Sequence, residues 1–380
     1  MTDVVIVGGG PVGLYLGALL LQEGADVRVL EKRTGRNAHT RAIGIHPPAL
    51  AALDRVGASA PLVARGVRIR RGLAVWAGRE IARMHFAPVS DRFPFVLAVP
   101  QPVTEAVLET RLLALDGNAL LRGAEVMDMY DDGARVTVDA TVAGTRQRMS
   151  AAIAVGADGA NSTVRRLLGL SAVEKRYPDH YLMGDFPDSS PYGEDAALFL
   201  EAGGIVESFP LPGGVRRWVV RLSGPPVSPD ARLLAGLVKE RTGITVDAGA
   251  NTMLSNFGVR SRLAGRMVDG RTVLIGDAAH EISPIGGQGM NLGWLDAESL
   301  LPVIMAALRG RPCGSDLRRF DASRRRVAAG AKRQAEVNMA LGRPLSGARL
   351  RARNAAIARV AAVPTLNALV ARRFTMQWPR

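Results

Sequence analysis

The feature that narrows the fold most lies within residues 3–31. Val4-Val5-Ile6-Val7 is an unbroken apolar run, Gly8-x-Gly10-x-x-Gly13 follows at once, LYLGALLLQEG continues in helical spacing, and ADVRVLE ends on Glu31. A strand apolar at every position must be covered on both faces, which is the situation of a parallel strand with a crossover helix. The stretch therefore reads as a βαβ unit. Gly8 suits the sharp turn out of the strand, Gly10 leaves main chain bare for a pyrophosphate, and Gly13 lets helix and strand close together. The helix opens with Pro11 and Val12, and its free N–H groups and positive dipole end favour phosphate there. Glu31 ends the second strand about twenty residues on, where a carboxylate accepts from ribose hydroxyls. Lys32 and Arg33 follow it directly and join the candidate nucleotide contacts.

Beyond this unit the pattern changes. From about residue 67 to 100, short strand-like pieces are broken by Gly72, Gly78, Pro88 and Pro94. Gln101 to Leu115 reads as a helix, 123–156 as β structure, 180–222 as antiparallel strands and Ala231 to Thr242 as a helix. Thr272-Val-Leu-Ile275 returns as an apolar strand before a long helical end. This order implies an α/β fold with a discontinuous Rossmann-like dinucleotide domain (1–70, 101–175 and 262–310). It carries a β-rich substrate domain (71–100 and 176–261), and residues 311–380 form a basic helical region.

Two further motifs follow. Gly156-Ala-Asp158-Gly159-Ala-Asn-Ser162 also suits a plain strand-to-helix turn with Ser or Asp as N-cap. Gly276-Asp277-Ala-Ala-His280 leads through Pro284 to Gly286-Gly287-Gln288-Gly289-Met290-Asn291. Asp277 stands at the carboxyl end of its strand, where open α/β sheets bind ligands, and is placed to hold the ribityl hydroxyls of a flavin. The helix opening in the glycine run would favour negative charge on the edge of a reduced flavin. The three motifs in this order point to FAD.

The formal charge of +14 is confined to one region: residues 301–380 hold 17 Lys/Arg against Asp316, Asp321 and Glu336, and residues 1–300 balance. Such a tail suits a solvated helix surface, an anionic membrane or an acidic partner. No nucleic-acid motif accompanies it, and no nucleic-acid partner is expected. From Arg343 onward, basic residues alternate with Leu345, Leu350, Ile357, Val360, Leu366 and Leu369. These amphipathic helices fit peripheral contact with a membrane or packing back on the FAD domain. No apolar run reaches the roughly 18 residues of a membrane-spanning helix. Cys313 is the only cysteine and no basic leader precedes the first strand, so a soluble cytoplasmic protein is expected. His39, His46, His85, His180 and His280 lack metal-ligand spacing, and no metal is expected.

Together, GGGPVG, GADGANSTVR and GDAAHEISPIGGQGMNLGWLDAESL resemble the class A flavoprotein monooxygenases of the p-hydroxybenzoate hydroxylase type, over roughly residues 1–310. The resemblance implies an FAD domain of the glutathione-reductase type. It implies that NADPH or NADH, bound transiently, reduces FAD, that O2 adds at flavin C4a, and that the hydroperoxide hydroxylates a phenolic or polycyclic aromatic substrate. It also implies that Arg41 lies near the FAD pyrophosphate, that Gln101 contacts the cofactor, that Asp158 serves both FAD and NADPH, and that Pro284 to Gly287 lie over the flavin ring. With the sequence ending at residue 380, no thioredoxin-like domain of the kind larger members carry is expected.

Relatives of other activity share these motifs. The stretch Gly204-Ile205-Val206-Glu207-Ser208-Phe209-Pro210 lacks both tryptophans of the halogenase signature, and no lysine falls in the early β segment. A double-bond reductase of the isoprenoid-chain type stays open, and intact GDAAH and GGQGMN runs argue against a GDI-like binding protein. On the substrate side, the resemblance implies that Pro284 faces the flavin, and Tyr181, Arg221 and His85 are the candidates from the β-rich segments, each better suited to a structural place. Trp76, Phe209 and Trp218 suit either an aromatic pocket or strand packing. The sequence assigns no oligomeric state.

Overall fold

The apolar run at the start forms the strand Thr2–Val7, with parallel neighbours on both sides in a computed structural model that describes residues 2–36 and 42–377. On one side Val4 stands opposite Val27 of the strand Val27–Glu31; on the other Val5 stands opposite Ala154 of Thr145–Gly156. Leu120–Arg122 extends the sheet beyond Val27–Glu31, and Thr272–Leu274 extends it beyond Thr145–Gly156, again in parallel. The helices Pro11–Gln22, Gln101–Leu115 and Gly289–Leu308 bury apolar faces in the core of this sheet, through Leu14, Leu16, Leu108, Leu112, Trp294 and Leu300. Register decides what happens next. Val7 lies beside both Leu30 and Gly156, and Gly156 beside Leu274, so the parallel strands finish at one edge. The segments emerging there are Gly8–Gly10, Lys32–Arg33, Ala157–Asp158 and Ile275–Asp277, which places the three motifs side by side.

A second sheet of eight strands runs His280–Glu281, Met253–Ala264, Ala172–Pro187, Val215–Leu222, Gly204–Leu211, Ala196–Glu201, Arg71–Trp76 and Arg79–His85. Its two faces separate by strand alternation. One face, with Leu182, Phe186, Val206, Trp218 and Val220, packs under the helix Ala231–Thr242 through Leu234 and Val238. That helix starts where Asp230 accepts from the Leu233 N–H at 2.7 Å and stops at Gly243, which is left-handed at φ 75°. The other face turns towards the parallel sheet. A three-stranded sheet of Gly44–Ile45, Val96–Ala98 and Val67–Ile69 lies between them.

The basic helices do not all pack on the parallel-sheet unit. Gly314–Leu341 does, since Arg324 reaches Asp296 of Gly289–Leu308 at 2.6 Å. Gly347–Ala362 and Pro364–Phe374 instead pack on the eight-stranded sheet: Asn354 donates to the Leu200 carbonyl, Asn367 donates to the Arg83 carbonyl, and Phe374 stacks on Phe86. Among the described residues no single helix is long and apolar enough to cross a membrane. These last two would pass that test only as a pair, and they are bent by 102°.

Candidate active site

Between the two large sheets lies a cavity of about 1300 Å3, above the roughly 300–1,000 Å3 of a site for one drug-sized ligand. It continues from the motif edge of the parallel sheet to the inner face of the eight-stranded one, which is room for a dinucleotide and a second molecule. Gly8, Gly10, Pro11, Val12, Glu31, Lys32 and Arg33 line its first end, with Gln101 and Asp158 beside them. Asp277, Pro284, Gly286, Gly287, Gly289 and Met290 line the middle. Gly13, Gly276 and Asn291 stand behind these residues rather than on the cavity wall.

The turn is made by steric necessity. Gly8 is at φ +111°, and a Cβ there would fall 2.4 Å from the Ala157 carbonyl oxygen. A Cβ on Gly13 would fall 2.0 Å from the Gly8 carbonyl oxygen, so helix and turn are in contact main chain to main chain. Gly10 is different: nothing lies within 4 Å of the point where its Cβ would be. That bare main chain opens on the cavity at the N-terminus of Pro11–Gln22, which has no side-chain cap. An anionic group fits there, held by the free N–H groups of the first turn.

Glu31 is buried, and its carboxylate accepts from the Gly9 N–H at 2.9 Å and from both the N–H and Nε of Arg33 at 2.9 Å. Burial raises its pKa, but the bonds from Arg33 and Gly9 outweigh that and hold it below the ordinary carboxylate range. It stays an anionic acceptor on the cavity wall. Asp158 accepts from the Thr163 and Val164 N–H groups through Oδ2, while its buried Oδ1, on the same wall, has no partner among the described residues. Ser162 caps the short helix Thr163–Leu167 by accepting from the Arg165 N–H. Arg165 then donates to the Ala278 and Ala160 carbonyls, tying the second motif to the third. Asp277 is accessible from the cavity yet deep in the protein, and desolvation pushes its pKa up to about 6. Gln101 donates to Glu105 at 2.8 Å, and burial raises the pKa of Glu105.

Behind the glycine run, Asn291 accepts from the His46 N–H and donates to the Gly44 and Gly287 carbonyls, fixing the loop from Pro284 to Gly289. His46, which the sequence did not single out, lines the cavity with Nε2 at 3.1 Å from the Gly286 carbonyl oxygen; burial pushes its pKa down to about 4. Its neutral ring therefore donates to Gly286. His280 lies outside the cavity wall, bonded to Asp296 at 2.5 Å. Burial works to lower its pKa, but Asp296 more than offsets this and the shift is upward. It belongs to a buried Arg324–Asp296–His280 network that braces the third motif.

The substrate-side candidates fare differently. Tyr181 is fully buried and stacked on Phe257, and Arg221 is bonded to Asp179 at 3.0 Å; neither lines the cavity. His85 lines a separate surface recess with Arg68, Arg70 and Asp195. Phe209 does face the cavity, whereas Trp218 is packed on the opposite sheet face and Trp76 is not among the lining residues. Arg41 lies outside the described residues. Among the described residues no group of His, Cys, Asp and Glu is disposed to hold a metal.

Residues 1–335 match the family model described as an FAD binding domain. The chain belongs to this FAD-binding family. The FAD-binding protein is 33% identical over 315 residues to a 6-methylpretetramide 4-monooxygenase of Streptomyces rimosus, across 81% of this chain and 56% of that one. It is also 33% identical to an anhydrotetracycline monooxygenase of the same species, across 89% of this chain and 69% of that one. The chain thus spans little more than half of the first relative's length. Its fold matches the crystal structure of a p-nitrophenol 4-monooxygenase from Pseudomonas putida with a TM-score of 0.90 at 26% identity, covering 100% of this chain and 99% of that one.

Proposed function

We propose that this FAD-binding protein is a monooxygenase that uses NADPH or NADH and O2 to hydroxylate a phenolic or polycyclic aromatic compound. The observation that carries the reading is one continuous cavity that joins three FAD motifs to an apolar sheet face. Proteins named for acting on 6-methylpretetramide, anhydrotetracycline and p-nitrophenol, to which the chain is similar, support it. FAD, when bound, supplies the relay of two electrons from the nicotinamide and the transfer of one oxygen atom.

The chain's own residues do the rest. The bare main chain at Gly10 and the first turn of Pro11–Gln22 hold the pyrophosphate, Glu31 holds the ribose, and Asp277 and the free Oδ1 of Asp158 accept from hydroxyls of the cofactor. The loop Pro284–Gly289, braced by Asn291 and His46, presents its main chain to the ring. The eight-stranded sheet and the roof of Gly347–Ala362 and Pro364–Phe374, with Ile357, Val360, Val370 and Phe374 turned inward, would exclude water from a bound cofactor and substrate. In domain terms we read 1–70, 101–175 and 262–310 as the FAD unit and 71–100 with 176–261 as the substrate unit.

Incubation of the holoprotein with NADPH or NADH, 18O2 and anhydrotetracycline or 4-nitrophenol tests the reading. One 18O atom in the product, with NAD(P)H oxidised in step, supports it. A yellow protein that reduces a double bond and leaves oxygen out of every product overturns it. The roof also leaves Val363, Leu366 and Leu369 exposed beside Arg359, Arg372 and Arg373. We read this outer surface as a peripheral contact for anionic lipid. Sedimentation with phosphatidylserine vesicles at low salt, absent with neutral vesicles, is the expected result.

A further inference from the structure

Glu207 is the one feature of the substrate end that nothing above explains. It lies in Gly204–Leu211 between Ile205 and Phe209, and the alternation of that strand turns all three side chains to the inner face, onto the cavity. Directly across in the neighbouring strands stand Leu198 and Val219, and both line the cavity too. The residue is only 7% exposed. Among the described residues no group donates a hydrogen bond to its carboxyl and no cation pairs with it. Burial alone pushes its pKa up to about 7.

Other acids on this face are satisfied. Asp185 is bonded by Arg217 through both oxygens at 2.7 Å, and Asp179 is bonded by Arg221 and Arg343. A buried carboxyl without a partner costs several kcal/mol as an anion and is kept in folded proteins where a ligand completes it. The surroundings decide what ligand. Ile205, Val219, Met183 and Phe257 form one apolar cluster, and Ile285 of the Pro284–Gly289 loop belongs to it, so Glu207 stands among residues that reach the flavin-facing segment. A cationic ligand at this end would meet Arg217 and Arg353, which line the cavity there. A neutral donor on an apolar ring system meets no such penalty.

Resting on the monooxygenase reading, we propose that Glu207 is the polar anchor of the substrate end, accepting the hydroxyl hydrogen of a neutral aromatic alcohol whose rings fill the apolar wall around it. The chemistry that follows is a proton transfer. The hydroxyl O–H bond breaks, its electron pair stays on the substrate oxygen and enriches the ring, and the proton forms a new O–H bond on the Glu207 carboxylate. No electron changes owner in that step, and the negative charge passes from glutamate to phenolate. An enriched ring is what attack on an electrophilic oxygen requires.

The test is a binding comparison on the FAD-loaded protein, with 2-naphthol and 2-methoxynaphthalene as probes, read by calorimetry at pH 8. The two differ in the hydrogen that Glu207 would accept. Wild type is expected to bind the naphthol at least tenfold more tightly than the ether. Glu207→Leu is expected to abolish that preference, and the isosteric Glu207→Gln to keep part of it, both with full FAD content and a cooperative melt. Equal binding of the two probes by wild type, binding of neither, or a preference that survives in Glu207→Leu overturns the proposal. If Glu207→Leu does not fold, a preference undiminished in Glu207→Gln overturns it as well. Because nothing is turned over, this result and the oxygen-incorporation result fail independently.

Discussion

At the motif end of the cavity the wall is main chain: the turn at Gly8, the bare segment at Gly10 and the loop from Pro284 to Gly289. At the sheet end it is side chains of one parity, Leu198, Ile205, Glu207, Phe209 and Val219, standing on regular strands. At Gly8, and behind it at Gly13, the first wall has no room for an added atom, because backbone lies against backbone, whereas Gly10 opens on the cavity. The second tolerates exchange, because each side chain ends in open space.

Substitutions on the two walls should therefore fail in different ways. The largest effect is expected for Gly13→Ala, whose new methyl would sit 2.0 Å from the Gly8 carbonyl oxygen. Relief requires the helix to leave the strand, at a cost of about 3 kcal/mol. Thermal melting should show a marked fall in Tm, and the purified protein should have lost its FAD. An unchanged Tm would mean that the close packing is not part of the stability.

On the other wall Glu207→Gln is expected to stabilise, and only above a certain pH. The folded pKa of about 7 is higher than that of an unfolded glutamate. The folded state therefore binds the extra proton between about pH 4.3 and 7, and stability falls as pH rises through that window and is level above it. Near pH 4.5 the protonated acid and the amide should match. At pH 8 the variant should be more stable by about 2 kcal/mol, allowing for water in the cavity. Urea melts at the two pH values check this, and an equal difference at both would break the contrast between the walls.

Gly10→Ala separates folding from cofactor. Its methyl meets nothing, so the unfolding free energy should stay within about 0.5 kcal/mol of wild type. The same methyl projects into the place of the pyrophosphate, and the Kd for FAD should rise tenfold or more, about 1.4 kcal/mol. The smallest effect is expected outside both walls. Leu366→Ser with Leu369→Ser removes exposed side chains, so the melt should move by less than about 0.5 kcal/mol while vesicle binding is lost.

The same division explains what could be read from the sequence. Main-chain walls write their requirements as glycines at fixed spacing, and the helix Ala231–Thr242 announces itself through its Asp230 and Gly243 caps. Side-chain walls do not. The strand Gly204–Leu211 is apolar on both faces, Val206 on one and Ile205 on the other, so nothing local tells which face meets a cavity and which a helix. Arg221 looked available because its partner Asp179 is 42 residues away, and the two pair only once strands are in register. His46 follows a two-residue strand and acquires its place from Gly286, 240 residues on. The last two helices carried a clear amphipathic pattern but no address, and their seat on Arg79–His85 depends on a surface assembled from distant segments.

The period of two in the eight-stranded sheet has a use in directed evolution. Positions 205, 207, 209 and 219 all open on the cavity, while 206, 208, 218 and 220 are spoken for by the core beneath Ala231–Thr242. A saturation library confined to the first set would vary the guest a flavoprotein of this kind accepts and leave the core beneath that helix intact. One extra residue in Gly204–Leu211 would instead exchange the two sets along the rest of the strand, turning pocket into core and core into pocket in a single mutational event.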